Sequence, residues 1–322
     1  MRDRKLPYEE KWHVQEQSQL LFGDELTGAK RSKRLCDPLF AAGFREELIN
    51  PLTYHTEAPL ERAELIRLML AKKLVAAFQG YQDIDSPSLA QPQWHSYRGG
   101  EFLPRFLGRQ VVAPAQFLQT SEAGTQLLGE ISLGTLELAC ALTAHAQLAG
   151  APEMIVSVNA PKEMLSQDNC GERISVAISQ NGISLRMLVL EIMEQKPLSE
   201  KDDFELLRTI TANADCVELA IDDYPEKYAL ANMDILLKND VPIGTVKIAG
   251  KHLRHVTPQN YRALLLRPLR DALKVKPHTL VFEGDGRGLH PAIIDLIKTA
   301  RDQLDRHDLS WLFEGRLVVL SS

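Results

Sequence analysis

The sequence predicts an α/β fold built as a TIM-like (β/α)8 barrel, with a mainly helical insertion near the N-terminus. Three observations carry this expectation. From about residue 130 onward, short apolar, β-branched runs alternate with longer amphipathic stretches, the pattern of βα units around a parallel sheet. The apolar runs are nearly continuous, as strands covered on both faces must be. Successive runs also end in a polar or charged residue, at the place where a barrel of this kind presents its functional groups.

The strands expected are MIVSVN (154–159), MLVLEI (187–192), VELAID (217–222), IGTVKI (243–248), TLVFE (279–283) and RLVVL (316–320), roughly thirty residues apart. Between them lie helices with their own start signals. LSEKDDFELLRTI offers Ser199 as an N-cap with Asp202 three positions on, and TPQNYRALLLRPLRDAL places Pro258 just inside a Thr257 cap. Pro268 within that second pattern kinks or ends it. Upstream, residues 124–150 read as one long helix or two shorter ones.

The first hundred residues are less regular. KLPYEEKWHVQEQSQLLFGDEL (5–26) reads as two strands joined by a polar turn, and APLERAELIRLMLAKKLVAAF (58–78) as a helix. DIDSPSLAQPQWHSYRGGEF (83–102), rich in Pro, Ser and Gln, reads as loop. The expected organisation is one domain over 1–322, with residues 30–105 as an insertion or subdomain.

With 37 basic against 43 acidic side chains the net charge is -6, which gives no general attraction to phosphate backbones or anionic lipid. The single basic cluster, KRSKR from Lys30 to Arg34, reads as a solvated loop. No apolar stretch reaches the ~20 residues that span a bilayer. The four cysteines form no CxxC pair and MRDRKLPYEE is no secretory signal, so the expected location is the cytoplasm, with nucleic acid and membrane excluded as partners.

Asn159, Glu191, Asp222 with Asp223, Lys247 and Glu283 fall at the same end of five consecutive strands. Any one of them alone reads as a turn former, a helix cap or half of an ion pair. Together, an Asn, a Glu and two Asp on one rim suggest a divalent metal held by hard oxygen ligands, with Lys247 beside it to stabilise developing charge or orient a water. Glu194, three residues after Glu191, reads either as support for that site or as the start of a loop. No HExxH, GxGxxG, P-loop or GxSxG motif is present.

VSVNAPKEML, LVLEIMEQ, LAIDDYPEKY, GTVKIAGKHL and LVFEGDG follow one another in an order and spacing that resembles EAL domains, the cyclic-di-GMP phosphodiesterase family of bacterial signalling. VVAPAQFLQTSEAG resembles that family's proline-and-phenylalanine segment, so the resemblance spans roughly residues 105–320. It implies Mg or Mn held by Glu25, Asn159, Glu191 and Asp222, with Asp223 for a second ion and Glu283 as a further ligand. It further implies Lys247 beside the attacking water and Glu194 steadying the loop after the aspartates. The first acid has two candidate positions: Glu25 in LFGDELTGAK, which is preferred, or a position occupied by Leu89 in SLAQPQWHS, which would remove a ligand.

Departures from the resembled pattern are informative. ELT stands for the signature tripeptide, Ala29 takes the place of the arginine that grips the dinucleotide, and Lys30 follows it as a substitute contact. The usually glycine-rich loop reads DDYPEKY, Ala249 stands for an aspartate, EGDG lacks a second glutamate, and Glu314 replaces a glutamine near the substrate. The resemblance with these departures implies a degenerate, non-catalytic or weakly active regulator. Cyclic-di-GMP, a protein partner and a second copy of the chain are its candidate partners. The alternative is an active metal-dependent phosphodiesterase that yields linear pGpG.

Overall fold

A computed structural model describes residues 44–48, 74–85, 98–107, 111–112, 123–148, 154–193, 198, 202–211, 217–284, 289–304 and 309–320. Its strands are β1 (Phe44–Leu48), β2 (Leu74–Asp83), β3 (Gly99–Leu107), β4 (Val111–Val112), β5 (Ile155–Ala160), β6 (Leu188–Ile192), β7 (Glu218–Tyr224), β8 (Thr245–Ile248), β9 (Thr279–Glu283) and β10 (Ser310–Leu320). The wall runs β10-β2-β3-β5-β6-β7-β8-β9, and β9 pairs back onto β10, so the sheet closes as an eight-stranded barrel. β1 extends the sheet outside β10, and β4 pairs with β3. From β3 through β9 to β10 neighbouring wall strands are parallel, whereas β2 is antiparallel to both β10 and β3. Antiparallel neighbours can be joined without a crossover helix, and parallel ones cannot.

The βα half agrees with the sequence. Strands expected at 154–159, 187–192, 217–222, 243–248 and 279–283 form within two residues of those limits, and the last strand begins earlier, at Ser310. Residues 123–148 make a single helix, α1 (Ala123–Leu148). Its buried Thr135 and Thr143 donate to the carbonyls of Ile131 and Ala139, both over 2.8 Å, which hides their hydroxyls in an otherwise apolar face. Further along come α2 (Lys162–Leu165), α3 (Cys170–Asn181), α4 (Asp202–Thr211), α5 (Lys227–Lys238), α6 (Gly250–Leu253), α7 (Arg267–Ala272) and α8 (Pro291–Leu304). Pro268 lies inside a continuous helical run, two residues beyond a π-helical turn at Arg262–Leu266, so the α-helical pattern is interrupted just ahead of it but the helix does not end there. Helix faces and strand residues such as Leu136, Ile174, Leu207, Met233, Leu269 and Ile297 share one continuous buried core with Val156, Leu190 and Leu219.

The N-terminal half departs from the sequence reading. Leu74–Phe78, expected to end a helix, belongs to β2, and Gly99–Phe102, expected as loop, belongs to β3. The stretch expected as an insertion at 30–105 therefore supplies two strands of the barrel wall. The reason is packing. Ala76, Ala77 and Phe78 are all buried, so the run is covered on both faces and shows no period that separates strand from helix. Gly99 and Gly100 serve close approach: a Cβ at Gly99 would lie 2.3 Å from the Ile155 carbonyl oxygen, and one at Gly100 would lie 2.4 Å from the Phe78 ring. The strands expected at 5–26, the remainder of the 58–78 helix and Ser199 lie outside the described residues.

Candidate functional site at the barrel mouth

Every wall strand sends a polar side chain to the same end of the barrel. β2 gives Tyr81, β3 Glu101, β5 Ser157 and Asn159, β6 Glu191, β7 Asp222 and Asp223, β8 Lys247, β9 Glu283 and β10 Glu314. Parallel register brings them level, since Asn159 is opposite Glu191, and Glu283 opposite Glu314.

Lys247 stands at the centre, with only 1% of its side chain exposed. Its Nζ lies 2.7 Å from Glu191, 2.9 Å from Glu101, 3.1 Å from Glu283, 3.3 Å from Asp222 and 3.6 Å from Glu314. Glu191 is fully buried and also accepts from the Tyr81 hydroxyl at 3.0 Å and from the Ser157 hydroxyl. Asn159 donates its amide to Glu101 over 2.6 Å.

Five carboxylates against one ammonium leave an excess of negative charge in a low-dielectric mouth. The excess is relieved by proton uptake or by a cation. Burial first, then Glu101, pushes the Glu191 carboxyl up to about 8 against the pull of Lys247. Glu283 and Glu314 are raised well above the carboxylate range by burial, with Lys247 opposing and neighbouring acids adding to the rise. Burial and Glu191 likewise raise the Tyr81 phenol. Burial disfavours the charged form of Lys247, but Asp222, Glu101, Glu191 and Glu314 outweigh it and hold the ammonium protonated.

Asp223 is set apart. Its φ of 54° lies in the left-handed region, and its carboxylate accepts from Lys251 at 2.7 Å. Asn232 on α5 holds the two described residues on either side of 194–197: its amide donates to the Met193 carbonyl at 3.1 Å, and its oxygen accepts from the Leu198 N–H at 2.9 Å.

The donor set consists of hard oxygens, the type that suits a divalent cation. Among the described residues the buried oxygens Asn159 Oδ1, Asp222 Oδ1 and Glu314 Oε1 have no hydrogen bond, although the last two face the Lys247 ammonium as ion pairs at 3.3 and 3.6 Å, and all are hard donors. No three His, Cys, Asp or Glu residues among those described are disposed, as they stand, to enclose a metal ion. The carboxylates converge on the Lys247 ammonium instead.

Of the residues expected from the sequence, Asn159, Glu191, Asp222, Lys247, Glu283 and Glu314 are brought together, with Asp223 adjacent. Glu25, Lys30, Glu194 and the alternative Leu89 lie outside the described residues. Beside Asn159 on the rim stands Glu101, which sequence reading missed. The signal was present in GGEFLPRFL: an acid, an apolar pair, and Arg105 four positions on, just ahead of VVAPAQFL. The flanking glycines, which read as loop, mask it.

The model of the EAL domain matches residues 63–284, more than half of the chain. The chain belongs to the EAL domain family. The matched stretch of this EAL domain contains Glu101 and leaves out Glu25 and Lys30. Among solved structures it is similar to the PaMucR phosphodiesterase in its c-di-GMP complex, at 19% identity and a TM-score of 0.62, over 79% of this chain and 93% of that one. It is also similar to an EAL domain protein from Listeria monocytogenes EGD-e, at 15% identity and a TM-score of 0.60, over 81% and 95% of the two chains. A third is the FimX EAL domain from Pseudomonas aeruginosa bound to c-di-GMP, at 15% identity and 0.58, over 79% and 92%. At these identities the likeness concerns the fold. No curated protein matches the sequence. No helix among the described residues is long and apolar enough to cross a membrane.

Proposed function

We propose that this EAL domain is a degenerate regulator in bacterial cyclic-di-GMP signalling. It binds the dinucleotide, hydrolyses it weakly or not at all, and passes the signal on through a protein partner. The observation that carries this reading is the Asp223–Lys251 pair: the second aspartate of the family motif is already neutralised by a side chain of the same molecule. Ala249 at the end of β8 and the YPEK sequence after Asp223 support it, since an acid and a flexible glycine loop are both missing there.

Asn159, Glu191, Asp222 and Glu101 would hold a divalent ion, with Glu283 at the edge of the set. When bound, that ion supplies a Lewis acid for phosphate oxygens and lowers the pKa of water. The protein's own part is positioning. Glu191 is fixed by Tyr81, Ser157 and Lys247, and Lys247 is held charged by five carboxylates facing the place where a phosphodiester would lie. The binding of c-di-GMP by the PaMucR and FimX structures supports the choice of ligand. Absence of a membrane-length helix among the described residues agrees with a cytoplasmic location.

The test is calorimetry with cyclic-di-GMP in millimolar Mn, paired with a turnover assay. Binding with slow or undetectable conversion is expected. Robust hydrolysis that Glu191→Ala abolishes would overturn the reading. It would establish the second one, an active phosphodiesterase giving pGpG, which the presence of Glu101 at the rim and Arg105 on the same strand favours.

A further inference from the structure

Asp222 and Asp223 are consecutive on β7, yet each faces its own lysine. Lys247 of β8 lies 3.3 Å from Asp222, and Lys251 of α6 lies 2.7 Å from Asp223 and 3.9 Å from Glu226. The backbone that carries Lys251 is held on two sides. The Ala249 N–H donates to the Tyr224 carbonyl at 2.9 Å, tying the end of β8 to the end of β7. Gly250 packs so closely on the end of β9 that a Cβ would lie 2.8 Å from the Glu283 carbonyl oxygen and 3.0 Å from that of Gly284. The first turn of α6 is thus wedged between two strand ends, and the next side chain, Lys251, is delivered to the mouth beside Asp223.

We propose that Lys251 is a built-in counter-ion for Asp223, so that the mouth accepts one divalent cation per chain, on the side of Asn159, Glu191 and Asp222, and rejects a second. A cation approaching Asp223 has to displace the ammonium from a charge-assisted hydrogen bond or remain beside a like charge. The ammonium, being tethered, competes at a high effective concentration. Half of the Lys251 side chain is exposed, so its replacement leaves the core intact.

This inference rests on the metal site of the proposed function, and its test counts metal ions without using activity. Equilibrium dialysis of the full chain against Mn, with circular dichroism to verify folding, compares the native protein with Lys251→Met, Lys251→Gln, Lys251→Arg and the double variant Lys251→Met with Asp223→Asn. One tight Mn per native chain and two for Lys251→Met and Lys251→Gln are expected, the second bound at least tenfold more tightly than in the native protein. Lys251→Arg and the double variant return to one. Two tight ions in the native chain, or one in folded Lys251→Met and Lys251→Gln, overturn the inference while leaving the first site in place. No Mn bound by any of the chains overturns the metal site and this inference together.

Discussion

Asn159 on β5 and Glu101 on β3 share a hydrogen bond of 2.6 Å across adjacent strands, and the other carboxylate oxygen of Glu101 reaches Lys247 at 2.9 Å. Glu101 thereby links the first parallel strand pair of the wall to the cation at its centre. Glu101→Ala leaves the Asn159 amide without its acceptor and removes one of five acids around Lys247. Urea unfolding is expected to show a loss of about 1–3 kcal/mol, as for one buried polar group stranded. Mn affinity should fall at least tenfold, while Glu25→Ala should leave that affinity unchanged.

Removal of the cation is more severe than removal of one anion. Lys247→Met leaves the buried acids with no counter-charge, and breaking a buried pair in that way costs about 3–5 kcal/mol. The deficit should be largest near pH 8 and shrink near pH 5, where the acids take up protons. Denaturant midpoints at the two pH values check this.

Glu191 gives the metal-free protein a pH dependence whose sign follows from its raised pKa. In the unfolded chain the carboxyl ionises near its ordinary value of 4.5, but in the folded protein burial, with Glu101 adding, holds the proton up to about pH 8. Between those values the folded state binds more protons, so stability falls as pH rises across the window, by on the order of a few kcal/mol. Melting of metal-free protein should show that decline from pH 5 to 8, and saturating Mn should flatten it. Proton release on Mn binding at pH 7, measured in two buffers of different ionisation enthalpy, provides an independent reading.

Gly100 tests the placement of β3 in the wall. A Cβ there would lie 2.4 Å from the Phe78 ring and 2.5 Å from the Gln79 carbonyl oxygen, both on the neighbouring β2. Gly100→Ala is expected to destabilise the fold by about 1–3 kcal/mol or more, the cost of overpacking, where an exposed loop glycine would tolerate the change. Thermal unfolding distinguishes the two.

The βα half of this EAL domain is legible in its amino-acid pattern alone. Strands buried on both faces must be apolar throughout, and their polar last residues then stand out, which is why Asn159, Glu191, Asp222, Lys247 and Glu283 were legible one strand at a time. That pattern could not separate strand from helix in LVAAF, where Ala76, Ala77 and Phe78 are all covered, nor strand from loop in GGEF, where the close approach of neighbouring strands requires glycines. Glu101 therefore became visible only when β3 was paired with β5 and its carboxylate met Asn159. The same holds for Lys251: four residues beyond Lys247 in the chain, it reads as a surface lysine until the wedging of α6 between β7 and β9 sets its ammonium on Asp223. Local pattern reports which residues are buried; which charges face one another is decided by closure of the barrel, because the partners lie on different strands.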